Sequence, residues 1–174
     1  MSAAVPDAFT CRLARDEPER LAYLALRRQI FCLEQGLFDG DDRDEHDQAA
    51  HPIVCLHENV RVVGVVRVWE TAPGDWWGGR LGVDAEFRAA AVVGRRLVQT
   101  AVGTARAWGS WRFRATVQSA NVAFFRRLHW RTLEELELFG QRHHLMEADL
   151  SWYRPTNEAR PAAPPLSRET RDAA

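Results

Sequence analysis

Lysine is absent from this 174-residue chain, and arginine supplies all 23 of its basic residues. Together with the many alanines this is the composition bias of a GC-rich genome. Cysteine is scarce: Cys11, Cys32 and Cys55 lie far apart with no Cys-x-x-Cys pair, which excludes a zinc ribbon or a redox motif of that kind. Each sits in an apolar stretch and is expected to pack as a small core residue. No apolar run approaches the ~20 residues a membrane helix needs. The first residues lack the basic region and apolar core of a secretory signal. A net charge of -1 gives no global pull toward nucleic acid or a membrane surface. The cytoplasm is therefore the expected compartment, with neither nucleic acid nor membrane as a partner.

What is present is an ordinary globular balance, 46% hydrophobic and 27% charged, in a length that suits one domain. We place that domain at residues 1–152. Residues 153–174, rich in Pro and Ala, are expected to be disordered. Residues 9–13 alternate as a first strand. A helix is predicted over 17–35, with Leu21, Leu24, Ile30, Phe31 and Leu33 on one side and Arg20, Arg27 and Arg28 elsewhere. An acidic loop follows. Runs 53–57 and 60–69 read as strands joined by a tight turn at Glu58-Asn59. Residues 72–75 read as a loop, 80–83 as a short strand and 92–108 as a second helix. Then come a half-buried strand at 113–118, a short helix at 121–128, and two closing strands near 131–138 and 143–150. The order predicts an α+β (α/β) domain with one twisted sheet and helices on its faces.

The stretch from Val83 to Leu97 carries the most chemistry. A strand runs into a turn of small residues, and a long helix begins. The unpaired N–H groups and dipole at such a helix start favour an anion, and small side chains let a phosphate approach the backbone. The same pattern also fits a plain βα loop whose alanines merely pack.

Val83-Asp84-Ala85-Glu86-Phe87-Arg88, small residues, then Gly94-Arg95-Arg96-Leu97 resembles the acyl-CoA pyrophosphate motif of the GNAT N-acetyltransferase superfamily. Ala89, Ala90 and Ala91 stand where the family has glycines, and an alanine at positive φ would be strained. Residues 117–130 resemble the later segment of that family, with Asn121 at a helix start and Phe125 in place of its usual tyrosine. Residues 26–35 and the loop with Asp44 and Asp47 resemble the start of the ElaA-like branch, and more distantly acyl-homoserine-lactone synthases; Arg67 matches their arginine on the third strand.

The resemblance implies a GNAT acyl-CoA N-acyltransferase fold: a mostly antiparallel twisted sheet in which two parallel strands, 80–83 and 113–118, splay apart around pantetheine. It implies acetyl-CoA as cosubstrate and a small amine or amino-acid-like acceptor, and it admits a homodimer. Coenzyme A would be held by Leu81, Val83, Arg88, Ala89, Ala91, Val93, Gly94, Arg95, Asn121 and Phe125. Phe125 lacks the hydroxyl with which the family's tyrosine protonates the departing thiolate. An acyl-homoserine-lactone-synthase-like enzyme and an acyl-CoA-binding module without turnover are the alternatives.

On the acceptor side the expected residues are Phe31, Glu34, Asp44, Asp47, Arg67, Trp76 and Trp77. The acidic loop could draw in a cationic amine or be a solvated charge run. Trp76 and Trp77, read as a loop before the splayed strand, would wall the pocket or plug the core. Glu70 and Asp75 are the candidates for the base that deprotonates the amine, with Glu34 a third. His46 and His51 near Asp44 and Asp47 match no standard metal spacing, so no metal is expected.

Overall fold

The computed structural model describes residues 7–162. Strand β1 (Phe9–Leu13) leads to helix α1 (Glu17–Arg27), and β2 (His51–His57), β3 (Arg61–Ala72) and β4 (Asp75–Val83) follow the acidic loop. Helix α2 (Val92–Ala107), β5 (Arg112–Gln118), α3 (Val122–Arg127), β6 (Trp130–Leu138) and β7 (Gln141–Ala148) complete the domain. The seven strands form one sheet in the order β1-β2-β3-β4-β5-β7-β6, antiparallel except for β4 and β5.

Local chemistry accounts for most boundaries. Asp16 caps α1 by accepting from the Glu19 N–H at 2.9 Å, and Glu17 and Glu19 in the first turn suit the helix dipole. Glu58 and Asn59 both have positive φ, 51° and 59°, the type I′ geometry that matches the twist of a two-residue hairpin. Phe139 and Gly140, with φ of 53° and 71°, turn β6 into β7 in the same way.

The Val-rich run of β3 is buried on both faces because α2 covers one and α1 the other. At Gly64 a side-chain carbon would come within 2.7 Å of both Leu97 and Val93, so α2 lies directly on the strand. Cys11 and Cys55 face each other across β1 and β2 as free thiols, Cys55 buried and Cys11 half-buried.

Three expectations change. The helix from Glu17 does not keep one period: Arg28–Glu34 is a π-helix, which rotates the stripe. Tyr23, Leu26, Arg27, Ile30 and Phe31 face the core, while Leu21 and Leu33 are exposed.

Trp76 and Trp77 are not in a loop. The β3–β4 turn is confined to Pro73 and Gly74, so both lie in β4, and strand alternation sends them to opposite faces. Trp76 is fully buried against Trp108, at 5.5 Å between rings.

The domain does not end at 152. The Tyr153 ring is buried, its hydroxyl donates to the Leu128 carbonyl, and it accepts from Trp130 Nε1 at 2.9 Å. The chain then runs along α2, where Thr156 N–H bonds Gly103 O and Trp108 Nε1 bonds Glu158 O. Composition suggested a loose tail, but these aromatic and backbone contacts hold it as far as Arg160. The rest of the tail expectation, beyond residue 162, lies outside the described residues.

Two stability predictions follow from these contacts. Tyr153→Phe leaves a buried indole N–H and a carbonyl without partners, and urea unfolding should show a loss of about 1–3 kcal/mol. Ala91, at φ 52°, starts α2 in the left-handed region; Ala91→Gly should raise stability by about 0.5–1 kcal/mol net of the glycine entropy, read from the same transition.

Candidate active site

The parallel pairing of β4 and β5 lasts three residues, Asp75 with Arg112, Trp76 with Phe113 and Trp77 with Arg114. Beyond it the strands part. The cause lies in β4. Between the pairs Val65–Gly82 and Arg67–Gly79, β4 holds one residue more than β3, a bulge centred on Arg80 with φ 54°. A left-handed arginine is strained by about 1–3 kcal/mol, so the surroundings must hold it there.

A cavity of about 620 Å³ occupies the opening and passes through the sheet. On the α2 and α3 side its wall is apolar, with Val98, Ala101, Val102, Val117, Phe125 and Trp130. Gly78, Gly79, Leu81 and Thr116 line the gap itself. On the α1 side lie Phe31, Leu37, Phe38, Asp44, His46, Arg67, Trp69, Trp77, Arg80, Arg114, Gln118, Phe139 and His143. Two contacts bridge this side: the Phe38 and Phe139 rings at 4.9 Å, and a hydrogen bond of 3.0 Å from Gln118 Nε2 to Gln35 Oε1.

Asp39, Asp41 and Glu45 of the acidic loop are exposed, but Asp42, Asp44 and Asp47 are turned inward and engaged. Three guanidinium groups, Arg27 on α1, Arg67 on β3 and Arg80 on β4, bind these three aspartates. Arg27 donates to Asp42 at 2.8 Å and to Asp47 at 2.6 and 3.1 Å, and also to the Tyr23 hydroxyl. Arg67 forks onto Asp44 at 2.6 and 2.7 Å and reaches Asp47 at 2.9 Å. Arg80 reaches Asp42 at 3.1 Å and Asp44 at 3.3 Å, with Phe38 under its guanidinium at 4.3 Å.

Arg27 and Arg67 are at most 2% exposed. Charges buried this deeply are tolerable only when paired and hydrogen-bonded. Burial alone would raise the Asp47 pKa, yet the hydrogen bond and charge of Arg27, with the charge of Arg67, hold it down to about 2. Asp44 is likewise held below the usual carboxylate range, against its burial, chiefly by Arg67. Asp44 and Asp47 therefore order the loop and close it over β3 and β4.

The acids expected to act as base are engaged. Glu70 accepts from the Gly74 N–H at 2.7 Å and pairs with Arg160 on the α2 face, away from the cavity wall. Burial would raise its pKa, but the Gly74 and Arg160 contacts hold it low. Asp75 is gripped by Arg114 at 2.9 and 2.7 Å, and Arg114 in turn lies over Trp77 at 4.3 Å. Glu34 pairs with Arg88 at 2.5 Å.

His46 and His51 lie on opposite faces of the sheet. His46 stacks on Trp69 at 4.7 Å, while His51 packs edge-on to Trp108. Burial and the Arg160 charge depress the His51 pKa to about 4.

Of the residues expected to contact ligands, Phe31, Asp44, Arg67, Trp77, Leu81, Asn121 and Phe125 line the cavity. Glu34, Asp47 and Trp76 do not, nor does Val83, which packs against the core. Arg88, Ala89, Ala91, Val93, Gly94 and Arg95 gather at the start of α2, outside the cavity wall. No side chain caps that helix, so its first N–H groups have no side-chain partner. Val93 turns its side chain into the core, Gly94 packs near Phe124, and Arg88 donates to the Val83 carbonyl at 2.7 Å.

Sequence reasoning missed Arg80, Arg114, Phe38, Phe139, His46 and His143 as site residues. An arginine at a bulge and aromatics in separate turns carry no local pattern that brings them together. Only strand alternation marks His143 rather than His144 as facing the cavity.

The Acetyltransferase (GNAT) family model matches residues 13–130. Among solved structures, the chain is similar to a Lactobacillus plantarum protein assigned as an N-acetyltransferase, at 20% identity and TM-score 0.74, over 83% of this chain and 99% of that one. It is also similar to Escherichia coli ElaA, at 20% identity and TM-score 0.64, over 81% and 98%. A third likeness is to an acyl-CoA N-acyltransferase from Pseudomonas aeruginosa, at 21% identity and TM-score 0.62, over 80% and 97%. At these identities the likeness is one of fold. No curated protein matches the chain. No described helix is long and apolar enough to cross a membrane.

The arginine–aspartate cluster predicts an acid transition. A carboxyl whose pKa is depressed in the fold contributes stability above its unfolded pKa and loses it as pH falls through the folded one. Stability should therefore drop as pH falls from the ordinary carboxylate range toward the Asp47 value of about 2. Arg27→Met should remove about 3–5 kcal/mol at neutral pH by leaving the buried Asp42 and Asp47 with one arginine each, and urea unfolding at several pH values checks both.

Proposed function

The chain belongs to the GNAT acetyltransferase family, and on that premise we propose that it transfers an acyl group, acetyl as the family default, from coenzyme A to the amine of a small acceptor. The observation that carries this reading is the opening between β4 and β5, continuous with a cavity that crosses the sheet. A pantetheine arm laid in the gap would meet backbone groups of Gly78 to Leu81 that β5 leaves unpaired. One N–H there would polarise the thioester carbonyl and hold the tetrahedral oxyanion. The uncapped start of α2 would take the pyrophosphate, with Ala89 and Ala90 exposed beside it. The apolar wall at Val98, Ala101 and Phe125 suits the carbon chain of the donor.

Phe125 offers no proton to the leaving thiolate. A thiol of pKa about 8.5, as in cysteine, leaves tolerably as an anion, so water can supply that proton. Amine and thioester would meet in one ternary complex, the amine entering from the α1 side. The ordered acidic loop and Arg67 favour the ElaA-like branch, to which the fold likeness is consistent. A cytoplasmic site suits such a reaction, where acetyl-CoA is the donor.

Acceptor-dependent thiol release from acetyl-CoA, measured across a panel of amines, tests this reading, and turnover with at least one amine is expected. Gly94→Trp, which crowds the α2 start, should weaken coenzyme A binding about tenfold or more, the equivalent of about 1.4 kcal/mol. Binding without release across the panel contradicts the enzyme and supports a binding module. Release only from an acyl-carrier-protein donor contradicts acetyl-CoA and supports the synthase-like alternative. Unchanged affinity in the Gly94 variant contradicts the pyrophosphate site.

A further inference from the structure

An alkyl ammonium must lose a proton before it can attack, and the acids Glu70, Asp75 and Glu34 are each bound to an arginine. We propose that His143 is the general base of the reaction, an assignment that rests on the acyl-transfer reading above.

His143 lies on β7, opposite Gln118 of β5 and Leu136 of β6, and it lines the cavity while only 5% exposed. Its Nδ1 is 3.0 Å from the Gln141 carbonyl oxygen. A carbonyl can only accept, so Nδ1 carries the proton, and in the neutral ring Nε2 holds the lone pair. Among the described residues Nε2 has no hydrogen-bond partner, and it is not one of the sealed-off polar atoms. The ring is thus fixed in one tautomer by its own strand, with the basic nitrogen left open at a cavity wall.

Position agrees with the role. Beyond the last parallel pair, Trp77 with Arg114, β5 runs on along the gap to Gln118, and Gln118 and Leu81 both line the cavity. His143 stands one strand behind Gln118 on the same face, about 5 Å further by strand spacing. That face holds the Gln118–Gln35 bridge and belongs to the α1 half of the cavity.

The other imidazole that lines the cavity, His46, is stacked on Trp69 and lies 3.7 Å from Glu45, with 42% of its side chain exposed. The charged groups that share the face of His143 are Arg114 with Asp75, Glu147 held by Arg112 and Arg131, and Glu134 on β6. Across the cavity are Arg67, Arg80, Asp44 and His46, and the end of the π-helix presents the neutral Gln35.

In the step itself the ammonium gives one proton to Nε2, which passes it to solvent. The free amine attacks the thioester carbonyl carbon, forming the C–N bond. The C–S bond breaks with its electron pair on sulfur, and the second nitrogen proton reaches the thiolate through water. The products are the amide and the thiol, with one proton released.

The test compares wild type, His143→Gln, His143→Asn and His46→Gln with acetyl-CoA and an amine that turns over. Loss of the base should lower kcat roughly 100-fold or more, leaving the KM for acetyl-CoA unchanged. The deficit should shrink as pH rises toward the pKa of the amine, and it should be small for a weakly basic acceptor that is already neutral. Added imidazole should restore part of the rate. Coenzyme A affinity reports that each variant is folded.

A His143 variant that keeps the wild-type rate and pH profile overturns the assignment. So does an equal deficit at every pH and with every acceptor, which marks a structural role, and so does a pH effect that follows His46 instead. A wild-type chain without acceptor-dependent release overturns the acyl-transfer reading, and the base with it.

Discussion

Guanidinium groups from α1, β3 and β4 converge at one point inside this fold, and each would be untenable there alone. Arg27 and Arg67 are almost completely buried, and Arg80 sits in a left-handed bulge that an arginine does not adopt freely. The loop that carries Asp42, Asp44 and Asp47 settles the charge of all three. Because the same aspartates reach more than one arginine, the loop, the helix end and the bulge form as a unit. Removing any one member takes a partner from two others that are largely buried, so the arrangement is more cooperative than a set of surface ion pairs.

What the cluster holds in place is the departure of β4 from β5. The bulge bends β4 where three residues of parallel pairing end, and a cavity opens in the middle of an otherwise continuous sheet. Exposed backbone groups at the centre of a sheet are unfavourable unless something pairs with them. In the proposed reaction a pantetheine arm would be such a partner. The two halves of the cavity differ: an apolar wall lies toward α2, and aromatic, arginine and histidine side chains lie toward α1. Phe38 and Phe139 touch across that second half.

Features governed by neighbours in sequence were legible without coordinates. The first strand, the α2 stripe through Val93, Leu97, Ala101 and Ala105, and the Glu58-Asn59 turn follow from periodicity and turn chemistry. The splayed pair came from the family resemblance. Features that depend on distant partners were not legible. Arg27 read as a surface residue because its compensation lies 15 and 20 positions away. Trp76 and Trp77 read as one loop feature, although a single step along β4 puts one in the core and the other in the cavity. Tyr153 sits in a Pro- and Ala-rich stretch whose composition hides two buried hydrogen bonds. For the site the same division holds. The helix start carried a motif, whereas the base candidates drawn from charge alone were acids already paired to arginines.

The central claim is that the gap between β4 and β5 is where donor and acceptor meet. A crystal structure of the chain with acetyl-CoA measures this most directly. The account predicts the pantetheine arm between the strands beyond the Trp77–Arg114 pair, its thioester near Leu81 and its pyrophosphate at the start of α2. Acetyl-CoA bound elsewhere on the surface, with the gap closed by direct β4–β5 pairing, would contradict it.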